Sequence, residues 1–302
     1  MIDVSVYHDE SKEGGYWHGL LIVPATSRGE LLDWLREARR RSRYPDPLGI
    51  KNCSPSKRRR ITCLSSWISA GVGSLPRHGS VPICLGPIVE PGRGHRRSPF
   101  RNPRPLNVKF GALHSPDGFA SMMGIWADVV ETTLRIALKG VLHYQDLSSE
   151  GQALNVRSLI LDGDRHYNRS LDESRVLGRL RNELRGGITI ADDASIVPLS
   201  SDHRREPAHY DDSQFLQLAD CLIGGVRLLA TEPSHHLVVG GNLEPLRAVM
   251  DRFSEGPARM LNSRFGTNFS ATSFAITPGG QFEFAPVVCG WPDEPEQLQL
   301  GF

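Results

Sequence analysis

The sequence feature that most restricts the folds this chain can adopt is the succession of a strand, a helix and a second strand in its second half. Residues 156–162 include the apolar run Leu159-Ile160-Leu161, which is typical of a strand buried on both faces. Residues 171–184 carry apolar side chains at helical spacing, and residues 196–199 form the core of a further strand. Two strands joined by a helix pair through a right-handed parallel crossover. The sequence therefore predicts an α/β domain whose sheet contains parallel strands.

The other segments add strands and helices to this unit. Residues 4–9 and 17–23 predict an opening hairpin, and residues 272–288 predict a closing one. A helix is predicted after Ser27, which has the spacing of a capping box with Glu30. Apolar periodicity predicts further helices at residues 56–70, 117–142, 212–230 and 246–253.

Composition shifts along the chain indicate how it is organised. Residues 71–105 are rich in Gly, Pro and Arg and show little apolar periodicity, which predicts a basic, loop-rich insertion. Residues 291–302 are acidic and contain prolines before a short apolar end, which predicts a tail. We therefore expect one domain over residues 1–290.

Charge, cysteine content and hydropathy narrow the class of protein. The 302 residues include 35 Lys and Arg against 34 Asp and Glu, so the net charge of +1 does not decide whether a polyanion binds. The five cysteines lack Cys-x-x-Cys spacing, and their odd number predicts reduced thiols rather than a disulfide framework or a zinc site. No apolar run reaches membrane-spanning length, and the first residues resemble a strand rather than a secretion signal. We expect a cytoplasmic protein that does not enter a membrane.

Three aspartates occupy positions at which an α/β sheet carries its chemistry. Asp9 closes the first strand and Asp162 closes the buried strand, so both stand at carboxyl ends of strands. Asp220 lies on an apolar helix face, and the adjacent Gly224 and Gly225 predict that this helix approaches the sheet closely. A buried carboxylate requires a compensating charge. Together the three predict a site for Mg²⁺ or Mn²⁺, which prefer oxygen ligands.

Each aspartate also has a purely structural explanation. Asp9 is also explained as the start of a turn, and Asp162 as part of an Asx-turn with the glycine that follows it. The structural alternative for Asp220 is an ion pair in the core with an arginine such as Arg227 or Arg185. The functional interpretation depends on the three carboxylates being placed together.

Further acidic and histidine residues are candidates for supporting roles. Glu10 is included among the catalytic candidates, although strand alternation directs it to the face opposite its neighbouring aspartate. Asp164 and Asp202 are also candidates for a further metal ligand. His203 and His209 flank a loop before the last long helix, where they are explained either as a proton shuttle or phosphate contact or as ordinary loop residues.

Basic residues are concentrated in the first third of the chain. Because the whole chain is close to neutral, this segregation predicts a positive surface that binds a phosphate backbone. The alternative is a set of solvated loops. Base-specific recognition is not indicated, since the sequence contains no zinc finger or other known reader motif. The residues expected to contact nucleic acid are Lys51, Arg58, Arg59, Arg60, Arg96 and Arg97.

Three segments resemble those of a bacterial family, the domain of unknown function numbered 3800. Its members open with a strand ending in Asp-Glu-Ser, carry an aspartate at the end of a central strand, and close with a helix of the form Leu-Gln-Leu-Ala-Asp-Leu-Ile-Ala-Gly. The corresponding segments here are His8-Asp9-Glu10-Ser11, Leu159-Ile160-Leu161-Asp162 and Leu216-Gln217-Leu218-Ala219-Asp220-Cys221-Leu222-Ile223-Gly224. The third is the most specific, and Lys51 and Ser200-Ser201-Asp202 also fall in order.

This resemblance implies a ribonuclease H-like fold, a mixed sheet flanked by helices, and a nuclease that acts in mobile elements or anti-phage defence. Two departures are visible. The turn after Ser11 lacks the usual Gly-Asp, and residues 71–105 are longer and more basic than is usual in the family.

Two classes of function follow from these features. The leading hypothesis is divalent-metal-dependent hydrolysis of phosphodiester bonds in DNA or RNA. The alternative is a catalytically inactive ribonuclease H-like module that binds nucleic acid or a partner protein. A nucleotide hydrolase of the P-loop type is not supported, because the sequence has no phosphate-binding glycine loop.

The last residues are a candidate docking segment for a protein partner. Residues 297–302, Gln-Leu-Gln-Leu-Gly-Phe, resemble the Gln-Leu-x-Leu-x-Phe pattern with which bacterial proteins dock on the replication sliding clamp. The alternative is that this apolar end folds back onto its own domain.

Overall fold

The computed structural model describes residues 1–11, 16–72, 108–115, 153–163, 172–184, 187–255, 269–276 and 282–290. Within these ranges, seven strands form one mixed sheet in the spatial order β5-β4-β1-β2-β3-β6-β7. The strands are β1 (Ile2–Ser11), β2 (Tyr16–Pro24), β3 (Lys109–Ser115), β4 (Leu154–Asp162), β5 (Ile188–Leu199), β6 (Phe269–Ile276) and β7 (Phe282–Pro286).

The directions of the strands determine which ends meet. β1 is antiparallel to β2 and parallel to β4, and β4 is parallel to β5. β2 and β3 are antiparallel, β6 is parallel to β3, and β7 is antiparallel to β6. The predicted parallel pair joined by a helix is confirmed. As a result, the carboxyl ends of β1, β4 and β5 lie at one edge of the sheet.

Helices cover both faces of the sheet. Those in the described ranges are α1 (Arg28–Ser42), α2 (Arg58–Gly71), α3 (Glu173–Glu183), α4 (Tyr210–Thr231), α5 (His236–Val239) and α6 (Glu244–Glu255). α1, α2, α4 and α6 share one apolar core with one face of the sheet, and α4 crosses β1, β2, β3 and β4. α3 packs against β5 on the opposite face. In the described ranges, no helix combines the length and the apolar character needed to cross a bilayer.

Several predicted boundaries differ from the observed ones. β1 continues through Ser11 instead of ending at Asp9, because it pairs with β2 as far as Trp17. β5 begins at Ile188, well before the predicted residue 196. The added part lies on an edge strand, where exposed polar residues hide the apolar pattern. Ser27 precedes α1, but its side chain makes no capping hydrogen bond, so the predicted cap is wrong.

Some predicted segments fall outside the described residues. They are the helix at residues 117–142, nearly all of the insertion at residues 71–105, and the tail at residues 291–302.

Candidate active site

The sheet brings Asp9 and Asp162 side by side. The last register pair between the parallel strands β1 and β4 joins His8 to Leu161, so the next residues on the two strands are these aspartates. Tyr7, two residues before Asp9, packs against an aromatic ring of α4. Because side chains alternate along a strand, Asp9 and Asp162 face α4 as well.

A close contact between α4 and β2 brings Asp220 to this pair. In β2, Gly19 is paired with Asp9, and a Cβ atom on Gly19 would lie 2.7 Å from the Cβ atom of Ile223. Only a residue without a side chain permits this approach. Asp220 lies one turn before Ile223, and its carboxyl group is hydrogen-bonded to that of Asp9. The tight packing of α4 that the sequence predicted is observed, although the strand glycine responsible was not foreseen.

Polar contacts fix the start of α4 to β1. The Tyr7 hydroxyl donates to Asp212 Oδ1 at 2.7 Å, and Arg28 donates to the same oxygen at 3.0 Å and to the Tyr7 hydroxyl. Asp212 is in the first turn of α4, where a carboxylate is also favoured by the helix dipole. These bonds orient the helix that carries Asp220.

Burial raises the pKa of each of the three carboxyl groups, and neighbouring carboxylates raise those of Asp9 and Asp220 further. Burial raises the pKa of Asp9 well above its ordinary value, and the charges of Asp220 and Asp162 raise it further; Asp9 is 8% exposed. Burial and then the charge of Asp162 raise the pKa of Asp220 to about 6, while the hydrogen bond with Asp9 opposes this rise. Two adjacent carboxyl groups of this kind share a proton. Burial and the charges of Asp220 and Asp162 favour the protonated form of Asp9.

The segment after α1 contributes a cation. Gly49 lies against Asp220, because a Cβ atom on Gly49 would be 2.9 Å from Asp220 Oδ2. Ile50 packs onto Gly224 of α4, and the exposed Lys51 follows it. The charge of Lys51 lowers the pKa of Asp220. The predicted lysine is therefore within electrostatic reach of the carboxylates.

The loop after β5 holds the Asp162 side chain through hydrogen bonds. The backbone N–H of Ser201 donates to Asp162 Oδ1 at 3.0 Å, and the Ser201 hydroxyl adds a second hydrogen bond. Burial raises the pKa of Asp162, whereas these two bonds lower it. Of the arginines considered as core partners of Asp220, Arg227 pairs with Glu232 at 3.0 Å, although its charge still lowers the pKa of Asp220.

The carboxylate oxygens of the three aspartates are suitable ligands for a hard divalent cation. Their side chains, however, do not form a complete set of metal ligands. Among the described residues, no group of three or more His, Cys, Asp or Glu side chains is placed to hold a metal ion. The shared proton offers a physical reason, since hydrogen-bonded carboxyl groups turn oxygens toward each other rather than toward a common cation. Ligation by all three carboxylates requires loss of that proton and rotation of the side chains.

The other acidic candidates lie in different surroundings. Glu10 stands opposite His18 in the β1–β2 register and, by alternation, on the face of the sheet away from Asp9. Its charge nevertheless raises the pKa of Asp9 and of Asp162. Hydrogen bonds from Arg204 lower the pKa of Asp202 to about 2, so its carboxylate is engaged in a surface ion pair. Asp164 lies outside the described residues.

The two loop histidines differ from each other. His203 is buried, and its Nδ1 lies 3.0 Å from Nε2 of Gln217. Burial lowers the pKa of His203, so its neutral form is favoured. His209 is exposed at the end of the 3-10 turn Pro207–His209.

The predicted nucleic-acid contacts separate into exposed and engaged residues. Arg58 and Arg59 are exposed in the first turn of α2. Arg60 instead donates to the Tyr44 hydroxyl at 2.6 Å and to the Asn52 carbonyl, and its guanidinium lies over the Tyr44 ring. Arg96 and Arg97 lie outside the described residues.

Comparisons with models of known families, with curated proteins and with solved structures found no match.

Proposed function

We propose that the protein is a divalent-metal-dependent nuclease with a ribonuclease H-like fold. The observation that carries the proposal is the convergence of Asp9, Asp162 and Asp220, which come from two neighbouring strand ends and from a helix packed closely on the sheet. Burial raises the pKa of all three, so native-state stability decreases as they ionise. A divalent cation bound between them would offset this loss of stability.

The chain's own residues supply the binding and proton steps of this reaction. Asp9, Asp162 and Asp220 would hold the cation after Asp9 has released its proton, and Ser201 keeps Asp162 in place. Lys51 supplies a positive charge beside the site, suited to a phosphate group of the substrate. Bound there, Mg²⁺ or Mn²⁺ would activate water for attack on a phosphodiester and stabilise the leaving oxygen.

We assign binding of the polymer to exposed cations of α2. Arg58 and Arg59 lie at the start of α2, shortly after Lys51 in the chain. Such side chains contact the phosphate backbone without reading sequence. DNA and RNA are both compatible with this mode of binding.

The family relationship and the cellular setting are part of the proposal. A mixed sheet flanked by helices agrees with the coarse architecture that the resemblance to the domain of unknown function numbered 3800 implies. The free thiols of Cys53, Cys63, Cys221 and Cys289 support a reducing compartment such as the cytoplasm. A role in anti-phage defence or in a mobile element follows only from the resemblance.

One observation favours a second function. Because no ready three-ligand group is formed among the described residues, a catalytically inactive module that binds nucleic acid or a partner is the alternative. It predicts nucleic-acid binding that does not depend on metal and is not followed by cleavage.

Cleavage assays separate the two functions. The purified protein is incubated with end-labelled single- and double-stranded DNA and RNA in Mg²⁺, Mn²⁺ or chelator. We expect metal-dependent cleavage that Asp9→Asn and Asp162→Asn each abolish while nucleic-acid binding persists. Binding without cleavage of any of the four substrates would favour the inactive module. Near wild-type cleavage by either variant would remove that aspartate from the site.

A further inference from the structure

A buried polar network lies beside the carboxylates, with Gln217 of α4 at its centre. Gln217 Oε1 accepts from Arg39 Nη2 at 2.6 Å and from the backbone N–H of Leu48 at 2.8 Å. Gln217 Nε2 donates to the Ser201 carbonyl and to His203 Nδ1, the latter at 3.0 Å. These bonds use both amide N–H groups and both acceptor positions of the oxygen. The orientation of the amide is therefore fixed, since a flip would oppose donor to donor and acceptor to acceptor.

The partners of Gln217 lie in the segments that carry the site. Ser201, whose carbonyl Gln217 holds, is the residue that fixes Asp162 through its N–H. Leu48 directly precedes Gly49, which lies against Asp220, and the 3-10 turn Ile50–Asn52 that contains the predicted lysine. Asp220 itself is one turn further along α4. A single amide therefore connects the three elements that set the relative positions of the carboxylates.

The network is held on its other side by Arg39 of α1. Arg39 is 7% exposed and stacks over the Trp67 ring at 4.6 Å. It donates to the carbonyls of Tyr44 and Asp46 at 3.2 and 2.6 Å and to Gln214 Oε1 at 2.7 Å. Through these hydrogen bonds, the planar guanidinium group fixes the positions of Gln217 and of the segment before Leu48.

We propose that Gln217 is the positioning residue of the carboxylate site. It contacts neither metal nor substrate, and it acts by holding Ser201 and the backbone at Leu48 at fixed distances from Asp220. The role as stated rests on the proposed metal-dependent activity. The positioning itself is a property of the two loops and is measurable without that activity.

The chain provides a matched control in Gln214. This residue lies one turn earlier on α4, is as fully buried as Gln217, and also accepts a hydrogen bond from Arg39. The Nε2 atom of Gln214 is buried and makes no hydrogen bond within the described residues. Gln217→Met and Gln214→Met each deprive Arg39 of an acceptor, and we expect Gln217→Met to lower the Tm more, because it removes four buried hydrogen bonds rather than one. Only Gln217→Met also releases the two loops.

Three measurements test this difference. Titration with Mn²⁺ should show a binding constant about 10- to 100-fold weaker in Gln217→Met, as for residues that orient metal ligands, and little change in Gln214→Met. Cleavage kinetics should show a fall in kcat with little change in KM for Gln217→Met. Amide hydrogen exchange should become faster at residues 44–51 and 200–206 in Gln217→Met but not in Gln214→Met.

The outcomes distinguish this inference from the proposed function. Equal exchange and equal Mn²⁺ affinity in the two variants would overturn the positioning role. A wild-type protein that neither binds Mn²⁺ nor cleaves would instead overturn the metal-dependent activity, and hydrogen exchange would still decide the positioning. If Gln217→Met does not fold, Gln217→Glu keeps both acceptor contacts and loses both donor contacts. We then expect faster exchange at residues 200–206 alone, and unchanged exchange there would refute the role.

Discussion

Replacing Asp220 by asparagine should stabilise the metal-free protein near pH 8. The raised pKa means that ionising this carboxyl group destabilises the native state. A change from 3.8 to about 6 corresponds to about 3 kcal/mol, at about 1.36 kcal/mol for each pKa unit. Asp220 is partly exposed, so solvent screening reduces the expected gain to about 2 kcal/mol. Asparagine has nearly the same volume, and its amide oxygen can still accept a hydrogen bond from protonated Asp9.

The gain should depend on pH in a defined window. A carboxyl group whose native pKa lies above its unfolded value stabilises the native state below the unfolded pKa, and this contribution disappears as the pH rises through the native pKa. For Asp220 the contribution is present in full below 3.8 and is lost once the pH exceeds about 6. The stability difference between Asp220→Asn and wild type should therefore grow across this interval and stay constant above it.

Thermal unfolding in chelator, from pH 4 to pH 8, measures this difference. We expect the Tm of Asp220→Asn to exceed that of wild type by about 4–8 °C at pH 8. Added Mn²⁺ should raise the Tm of wild type and leave that of the variant nearly unchanged, because ligand binding stabilises only a protein that retains its site. Asp33→Asn, on an exposed position of α1, is the control and should shift the Tm by less than about 2 °C. A variant no more stable than wild type at pH 8, with the same response to Mn²⁺, would refute the coupling of the carboxylates.

Three further predictions concern metal binding, the basic surface and packing. The Mn²⁺ affinity of the wild type should rise by up to about tenfold per pH unit over the range in which the proton shared with Asp9 is released, because metal binding then displaces that proton. Calorimetry in two buffers measures proton release on Mn²⁺ binding, and finding none would contradict this prediction. Arg58→Ala with Arg59→Ala should weaken nucleic-acid binding and flatten its salt dependence, whereas Arg60→Ala should lower the Tm instead; filter binding across salt concentrations and thermal unfolding separate them. Gly19→Ala should destabilise by about 1–3 kcal/mol in urea unfolding because its Cβ atom would meet Ile223, whereas Gly29→Ala, with open space around it, should not.

The parts of the site that could be predicted from the sequence are those encoded locally. Asp162 follows a buried apolar strand, and Asp220 interrupts an apolar helix face next to two glycines, so each is anomalous in its own segment. The alternation of β1 correctly predicted that Asp9 and Glu10 lie on opposite faces once the strand continues. These inferences need only the periods of strands and helices.

The residues that were missed act through contacts between distant segments. Gly19 is an isolated glycine within a strand, a signal of close approach that was present but not used. Gln217 and Arg39 have no local anomaly, because a glutamine or an arginine on a helix is ordinarily solvated. Their roles arise from hydrogen bonds across more than 170 residues of chain, and no periodicity encodes such a pairing.

In the proposed function, the free-energy cost of ionising the buried carboxyl groups is the driving force for metal binding. Carboxyl groups whose pKa is raised by burial and by neighbouring carboxylates leave the metal-free protein less stable near neutral pH than a variant with one of them neutralised. A purely structural aspartate gives no such penalty, because its partner is a cation or an N–H donor, as Arg204 is for Asp202. A cation bound between Asp9, Asp162 and Asp220 would convert the penalty into affinity, since it removes the repulsion that the fold otherwise maintains. Under the proposed positioning role, Gln217 beside α4, together with the close contact at Gly19 beneath it, would keep the carboxylates from moving apart. The proposed metal site therefore predicts an electrostatic penalty that is measurable before any substrate is known.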